Sequence, residues 1–412
     1  MGLGKPADIA GAWPCFRGAG RNNIAADPPR LARSWPAEGP PELWSVDLGE
    51  GYAGPAVSDG RVYLLDYDAG RRRDVLRCLS LETGQEIWRH GYEVEITRNH
   101  GMSRTVPAIA SGRVVTLGPR LHLVCWDAET GEVCWWHDLV SEFAAVEPAW
   151  YAGQNPLIDG GRVVMAVGGS ALFVAFDLAG GDIVWQSPAV KRWQMTHASV
   201  AELTVGPRRM FVGSFTGGTA GVDAETGELL WQTSEGRMQV ATCPTPLPLP
   251  GDRLLLTSGY NPREGTVVLG VRRNAQGGLY CEALVRYKPG ELNVEQHTPI
   301  LAGNTLYAIR KRGGGPLVCF DVNEAGITEQ WNTGRLRFGL GPHLLSEDLM
   351  FAMNDTGRLA LLEVSPVGYR ELAWAAIFPE GHDAWGPMAL VAGRLLLRDM
   401  TRLKCLDVRQ TR

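Results

Sequence analysis

No apolar run in the 412 residues approaches the ~20 that a membrane helix needs. Net charge is also scarce, −5 over the whole chain, and that balance gives no reason to expect a nucleic-acid partner. The opening Met1-Gly-Leu-Gly-Lys-Pro-Ala-Asp8 lacks the apolar core of a signal peptide. The chain is therefore expected either to stay in the cytoplasm or to follow a leader that has been removed. No Cys-x-x-Cys pair offers a zinc or redox site. A Gly-x-Ser-x-Gly elbow and a His-Glu-x-x-His helix are both missing. Gly313-Gly-Gly315 after Lys311-Arg312 lacks a Walker lysine and a following helix, so it reads as a flexible turn.

A hydrophobic content of 45% with 21% charged residues is that of a chain able to bury sizeable cores. The 51 glycines and 26 prolines suit an all-β protein with many turns. Four of the eight cysteines recur in one setting: Leu-Arg-Cys78-Leu-Ser, Leu-Val-Cys125-Trp-Asp, Leu-Val-Cys319-Phe-Asp and Leu-Lys-Cys405-Leu-Asp. A residue recurring at one repeat position fills one structural niche, here a small buried strand position, which suits a free thiol.

Internal repetition decides the fold. Asp127-Ala-Glu-Thr-Gly-Glu132 precedes Trp135, Asp223-Ala-Glu-Thr-Gly-Glu228 precedes Trp231, and Ser80-Leu-Glu-Thr-Gly-Gln85 precedes Trp88. Asp177–Asp182 before Trp185 and Asp321–Gly326 before Trp331 are looser copies. Trp44, Trp88, Trp135, Trp185 and Trp231 are spaced 44, 47, 50 and 46 residues apart. The gap of 100 to Trp331 holds two units, with the missing tryptophan expected near Leu284, and Trp374 follows 43 later. Within a unit, Gly60-Arg-Val-Tyr-Leu-Leu65 and its relatives open a β-branched or leucine-rich strand at a Gly turn. The Asp-x-x-Thr-Gly segment closes a hairpin, because Asp bonds its own downstream backbone and Gly accepts positive φ. Four strands per unit, eight times, predict an all-β, eight-bladed β-propeller with tryptophan-docking repeats. The last unit has only three strands, so an N-terminal outer strand, about 42–48, is expected to pair with Leu403–Val408 and close the ring. Residues 1–40 are expected to be a Pro-rich lead-in packed across the last blade, and 41–412 a single propeller.

The Asp-Ala-x-Thr-Gly-x-x-x-Trp unit resembles the tryptophan-docking repeat of the PQQ-type propellers. The opening Trp13-Pro-Cys-Phe-Arg-Gly18, with Trp35 and Gly54-Pro-Ala-Val57, is similar to the start of bacterial PQQ-like propeller proteins. The resemblance spans nearly the whole chain. It implies either quinoprotein alcohol dehydrogenase chemistry or a non-catalytic role like that of the propeller lipoprotein of outer-membrane protein assembly, and fold alone does not choose. The resembling enzymes stack PQQ on a vicinal cysteine pair or other groups, with Glu, Asn and Asp around a metal. Here there is no Cys-Cys dipeptide, and few carboxylates (Glu147, Glu295, Asp383) stand near the expected channel. Ca²⁺ wants six to eight oxygens, so no cofactor is predicted and PQQ is not expected. The resemblance implies export, whereas the free-looking thiols and absent leader point to the cytoplasm.

Propeller ligands bind where inner strands begin, around the axis. Those segments carry Tyr52, His100, Arg104, Trp150, Tyr151, Gln154, Trp193, Gln194, His197, Gln239, Asn293, His297, Arg337 and Trp385. This is a polar, aromatic-walled candidate pocket for a small ligand, although a wet channel also collects polar side chains without one. Imidazoles of His100, His197, His297 and His382 are candidate metal ligands, with Glu295, Asp383 and Arg104 as candidate catalytic groups. The pairs Arg71-Arg-Arg73, Arg208-Arg209, Arg272-Arg273 and Lys311-Arg312 suit a phosphate or acidic partner, or simply solvated loops. The leading expectation is a binding or scaffold module, monomeric as a ring, that presents loops to a protein partner or small molecule. An enzyme at the channel mouth comes second, and a PQQ-dependent dehydrogenase third.

Overall fold

The computed structural model describes residues 1–26, 28–261 and 263–410. The fold is an eight-bladed β-propeller of eight four-stranded antiparallel sheets. Blade I holds Ala56–Ser58, Arg61–Asp68, Arg73–Ser80 and Glu86–Glu93. Blades II to VII repeat the order over 108–138, 157–186, 201–233, 247–287, 300–332 and 343–376. Blade VIII takes Ala389–Val391, Arg394–Arg398 and Arg402–Asp407, and the N-terminal strand Glu42–Asp47 completes it antiparallel to Arg402–Asp407. Among the described residues no helix is long and apolar enough to cross a membrane.

The chain divides into two compact units. One comprises Met1–Pro119, Val124–Cys134 and Thr333–Arg412, and the other Arg120–Leu123 and Trp135–Asn332. Blades I, VII and VIII belong to the first, blades III to VI to the second, and blade II has strands in both. In the first unit the lead-in lies along strands of four blades rather than the last alone, and Ile109 N–H of blade II donates to Pro14 O. Ala7 N–H donates to Gly60 O, Trp13 bridges Val57, Ala25 N–H donates to Leu345 O, and Leu31 bridges Arg409. Unmet backbone groups are costly when buried, so these main-chain bonds hold a segment with no strands of its own.

The tryptophan repeat works as a register device. Opposite the outer-strand indole stands a small residue of the third strand: Cys78 faces Trp88, Ala175 faces Trp185, Gly221 faces Trp231, Cys319 faces Trp331 and Cys405 faces Trp44. A bulge precedes the indole in each of these pairs, and the extra residue re-aims the ring. The ring then covers the turn glycine of the next blade. A Cβ on Gly84 would stand 2.7 Å from Trp44, on Gly131 2.6 Å from Trp88, on Gly181 2.6 Å from Trp135, and on Gly227 2.4 Å from Trp185. The indole N–H of Trp44 donates to Leu81 O and that of Trp135 to Leu178 O, both at 3.0 Å. All eight cysteines are free thiols, and Cys78, Cys125, Cys319 and Cys405 are buried.

Two details of the expected spacing change. In blade V the bulged residue is Leu284, and the docking position is Val285, opposite Val268. In blade VII the docking position is Ala373, opposite Leu361. Trp374 falls one residue beyond it, opposite Ala360, and strand alternation sends it to the other face. There it stacks on Phe338, with centroids 5.8 Å apart and the Arg358 guanidinium 5.3 Å away.

Because the strands of a blade alternate in direction, the first and third hairpins turn at one end. The second hairpin and the exit to the next blade lie at the other. The Asp-x-x-Thr-Gly turns occupy the first end. There Asp127 Oδ1 accepts from the N–H groups of Glu129 and Thr130 and from the Thr130 hydroxyl, and Asp223 repeats the pattern. The segments leading into inner strands, with the candidate residues, occupy the second.

Candidate functional site

In the first unit the structure gathers Tyr52, Arg104, Asp383 and Trp385. The Tyr52 and Trp385 rings are 5.1 Å apart with a 32° tilt, and the Arg104 guanidinium lies 5.0 Å from the Tyr52 centroid. Aromatic contact and cation–π attraction each favour this arrangement by about 0.5–1 kcal/mol. The buried Tyr52 phenol is pushed up to about 12, by burial first and by the Asp383 charge, against the opposing pull of a Gly101 backbone bond and Arg104. It is therefore a neutral hydrogen-bonding group at ordinary pH, with its oxygen 3.5 Å from Asp383 Oδ2.

Groups behind the cluster hold it. Tyr52 and Ala53 N–H both donate to Ser103 O, at 2.7 and 3.0 Å. Arg398, fully buried, donates to Gly49 O at 3.0 Å, Ala53 O at 3.1 Å and Leu65 O at 3.4 Å. Burial lowers its pKa to about 10, so it remains a cation solvated by carbonyls. Asp355 Oδ1 accepts from Trp385 Nε1–H at 2.7 Å and Leu340 N–H at 2.8 Å. Asp74, fully buried, accepts from the Ser103 hydroxyl at 3.1 Å and the Tyr92 hydroxyl at 2.9 Å. Burial raises its pKa to about 7, against the two hydroxyls and with help from Asp66. His100, His382 and Arg337 are exposed. His382 Nδ1 is 3.6 Å from Asp383 Oδ2, and Arg337 donates to Leu336 O.

In the second unit Trp150 meets His197 at 6.2 Å and Tyr260 at 5.8 Å between centroids. His197 Nε2 is 2.7 Å from Ala149 O. Tyr260 carries Lys311 Nζ 5.7 Å from its ring, and its hydroxyl accepts from Gln296 Nε2 at 2.8 Å. Lys311 also forms an ion pair with Glu295, so the carboxylate expected to act as a base is already paired. Trp150 and Tyr151 both have positive φ, 66° and 72°. For bulky side chains that is rare and strained, and such strain persists where surrounding structure over-determines it. His100 at 58° and Asp383 at 51° share the property in the first unit.

Other predicted residues have structural work. Gln154 is fully buried, with its amide donating to Ala166 O and accepting from Ala166 N–H. Asn293 Oδ1 accepts from the Ser258 hydroxyl and N–H, fixing the turn that carries Tyr260. Gln194 Oε1 accepts from Val146 N–H, and Trp193 packs on Phe215 at 5.9 Å. Gln239 is exposed and His297 half-buried. Arg398, Asp74, Asp355 and Tyr260 were absent from the sequence-derived set, and Lys311 stood there only as half of a basic pair. Arg398 ends a leucine strand and Tyr260 follows a Ser-Gly turn, with no local pattern to mark either.

Among the described residues no three or more His, Cys, Asp or Glu side chains are grouped to hold a metal ion.

These sheets and their docking indoles define the class, an eight-bladed β-propeller. A family model described as outer membrane protein assembly factor BamB matches residues 71–243. Together with the repeat, this match supports a likeness to the PQQ-like β-propellers. BamB from Moraxella catarrhalis is similar in structure, with 15% identity and a TM-score of 0.60, over 90% of this chain and 98% of that one. The quinohemoprotein alcohol dehydrogenase from Comamonas testosteroni is 12% identical, with a TM-score of 0.52 over 97% of this chain and 81% of that one. The computationally designed protein Ika8 gives 12% identity and a TM-score of 0.58, over 89% and 100%. No curated protein sequence matches. At these identities the likeness is one of fold.

Proposed function

We propose that the chain is a binding propeller, and that the segments leading into its inner strands dock a protein partner. The observation that carries this reading is the Tyr52–Trp385–Arg104 cluster, held in place from behind by Arg398, Ser103 and Asp355. Tyr, Trp and Arg dominate interface hot spots, because large rigid side chains lose little entropy on contact. A cluster already ordered in the free protein lowers that cost further. The assembly-factor description of the matching family supports a protein as the occupant.

The test places a photo-cross-linking residue at exposed Arg337 and His382, and at exposed Glu129 in an Asp-x-x-Thr-Gly turn of the same unit. The first two positions are expected to capture one shared partner from extracts of the source organism, and Glu129 none. The double variant Tyr52→Ala/Trp385→Ala is expected to weaken capture about 30-fold, from roughly 2 kcal/mol of lost anchor contact, with the far-ultraviolet spectrum unchanged. Capture through Glu129 alone, or full capture by the double variant, refutes the reading.

A further inference from the structure

The second unit is electrically polarised between its two ends. At the end that carries Trp150 and Tyr260, Lys191, Arg192, Arg237, Arg263, Lys288 and Arg312 are exposed, and none enters an ion pair with a described residue. At the opposite end, beside the Asp-x-x-Thr-Gly turns, the exposed charges include Asp182, Glu228, Asp252 and Glu324. Arg208 and Arg209 there are neutralised by Asp223 and Asp159, and Arg273 is the exposed cation at this end that enters no ion pair with a described residue. Solvated cations without partners are the ones a ligand can neutralise at no loss of existing pairs.

Apolar groups share the basic end. Val146 and Val240 are 54% and 48% exposed, and Trp150, Tyr151 and Tyr260 are half-buried between the cations. Exposed Glu142 and Glu291, and half-buried Glu147 and Glu295, are interspersed among them. A uniform phosphate chain is repelled by such interspersed carboxylates. A polypeptide avoids them, because it can place acids opposite the cations and an apolar side chain on Trp150.

We infer that this end of the second unit docks an acidic protein segment with at least one apolar anchor. The inference rests on the binding reading above and adds the partner's chemistry. Lys191, Arg192, Arg237 and Arg312 supply charge complementarity and steer the approach. Trp150, held at positive φ, and Tyr260, whose ring packs against it, supply the anchor.

The test uses the full chain and fluorescein-labelled probes: an Asp/Glu-rich 12-residue peptide carrying Leu and Phe, its Lys-substituted counterpart, and a single-stranded DNA of similar length. The acidic peptide is expected to bind, more weakly as ionic strength rises, and the lysine peptide not at all. R192E/R237E/R312E is expected to lower acidic-peptide affinity at least about tenfold, and W150A to lower it without changing the salt dependence. DNA bound as tightly as the acidic peptide overturns the inference, as does absence of acidic-peptide binding. If the acidic peptide does not bind while Tyr52→Ala/Trp385→Ala loses the cross-linked partner, the acidic-segment inference falls and the binding reading stands. If the peptide does not bind and the double variant keeps the partner, both fall.

Discussion

Replacing Gly131 by Ala isolates the contribution of indole docking between blades. Gly131 has φ +75°, and an added Cβ would stand 2.6 Å from the Trp88 ring and 2.7 Å from His90. Gly112 is its internal control: φ is +71°, and a Cβ there meets nothing within 4 Å. Both substitutions force an L-residue into the left-handed region at about 1 kcal/mol, so that part cancels in the comparison. What differs is contact. Carbon atoms pack at about 3.5–4.0 Å, so Trp88 has to retreat by about 1 Å. Trp88 is completely buried, with Tyr63 on its inner side and Cys78 opposite, and overpacking of this kind costs about 1–3 kcal/mol. Gly131→Ala is therefore expected to destabilise by about 2–4 kcal/mol and Gly112→Ala by about 1 kcal/mol. Urea unfolding followed by far-ultraviolet circular dichroism measures both without relying on tryptophan emission. Equal midpoints for the two variants would refute the argument that the turn glycine serves the indole.

Asp74 makes stability depend on pH. Its carboxyl is raised from 3.8 to about 7 in the folded protein, chiefly by burial, so the folded state holds a proton that the unfolded state has released. Stability from this group is therefore full below about pH 4, falls as pH rises toward 7 and is level above it, by up to about 4 kcal/mol. Asp74→Asn is expected to match the wild type below about pH 4 and to exceed it at pH 8 in urea midpoint, and a variant that keeps the wild-type slope would exclude Asp74 as its source. For the thiols, denaturation without reductant is expected to expose eight groups to a thiol reagent. In the native protein exposed Cys134 should react first, while Cys78, Cys125, Cys319 and Cys405, pushed up to about 12 by burial, stay silent. A titre near zero after denaturation would contradict the free-thiol assignment.

The blade count and the N-terminal closing strand were legible because their chemistry is local. Asp127 and Asp223 bond the backbone two and three residues on, so the turn is written in a six-residue window. The cysteine niche was legible for the same reason, although the indole opposite it was not. Counting residues misplaced Trp374, because a bulge inserts one residue and alternation then reverses the face. The mouth residues were found as a set but not sorted. Gln154 and Asn293 look like ligand-binding amides until the segments facing them are known, and those segments take up their hydrogen bonds. Arg398 looked like an ordinary strand end, and is instead the buried cation beneath Tyr52.

The sequence by itself determined the propeller, its repeat, its closure and its turn chemistry, since each depends on residues close together or on a period carried through the chain. Tertiary structure decided which polar side chains are struts and which face outward. It also decided which aromatic rings meet a cation, and that most unpaired exposed cations of the second unit lie at one end. Those outcomes depend on residues far apart in the chain, such as Tyr52 with Trp385 or Trp150 with Tyr260, whose proximity no local pattern encodes.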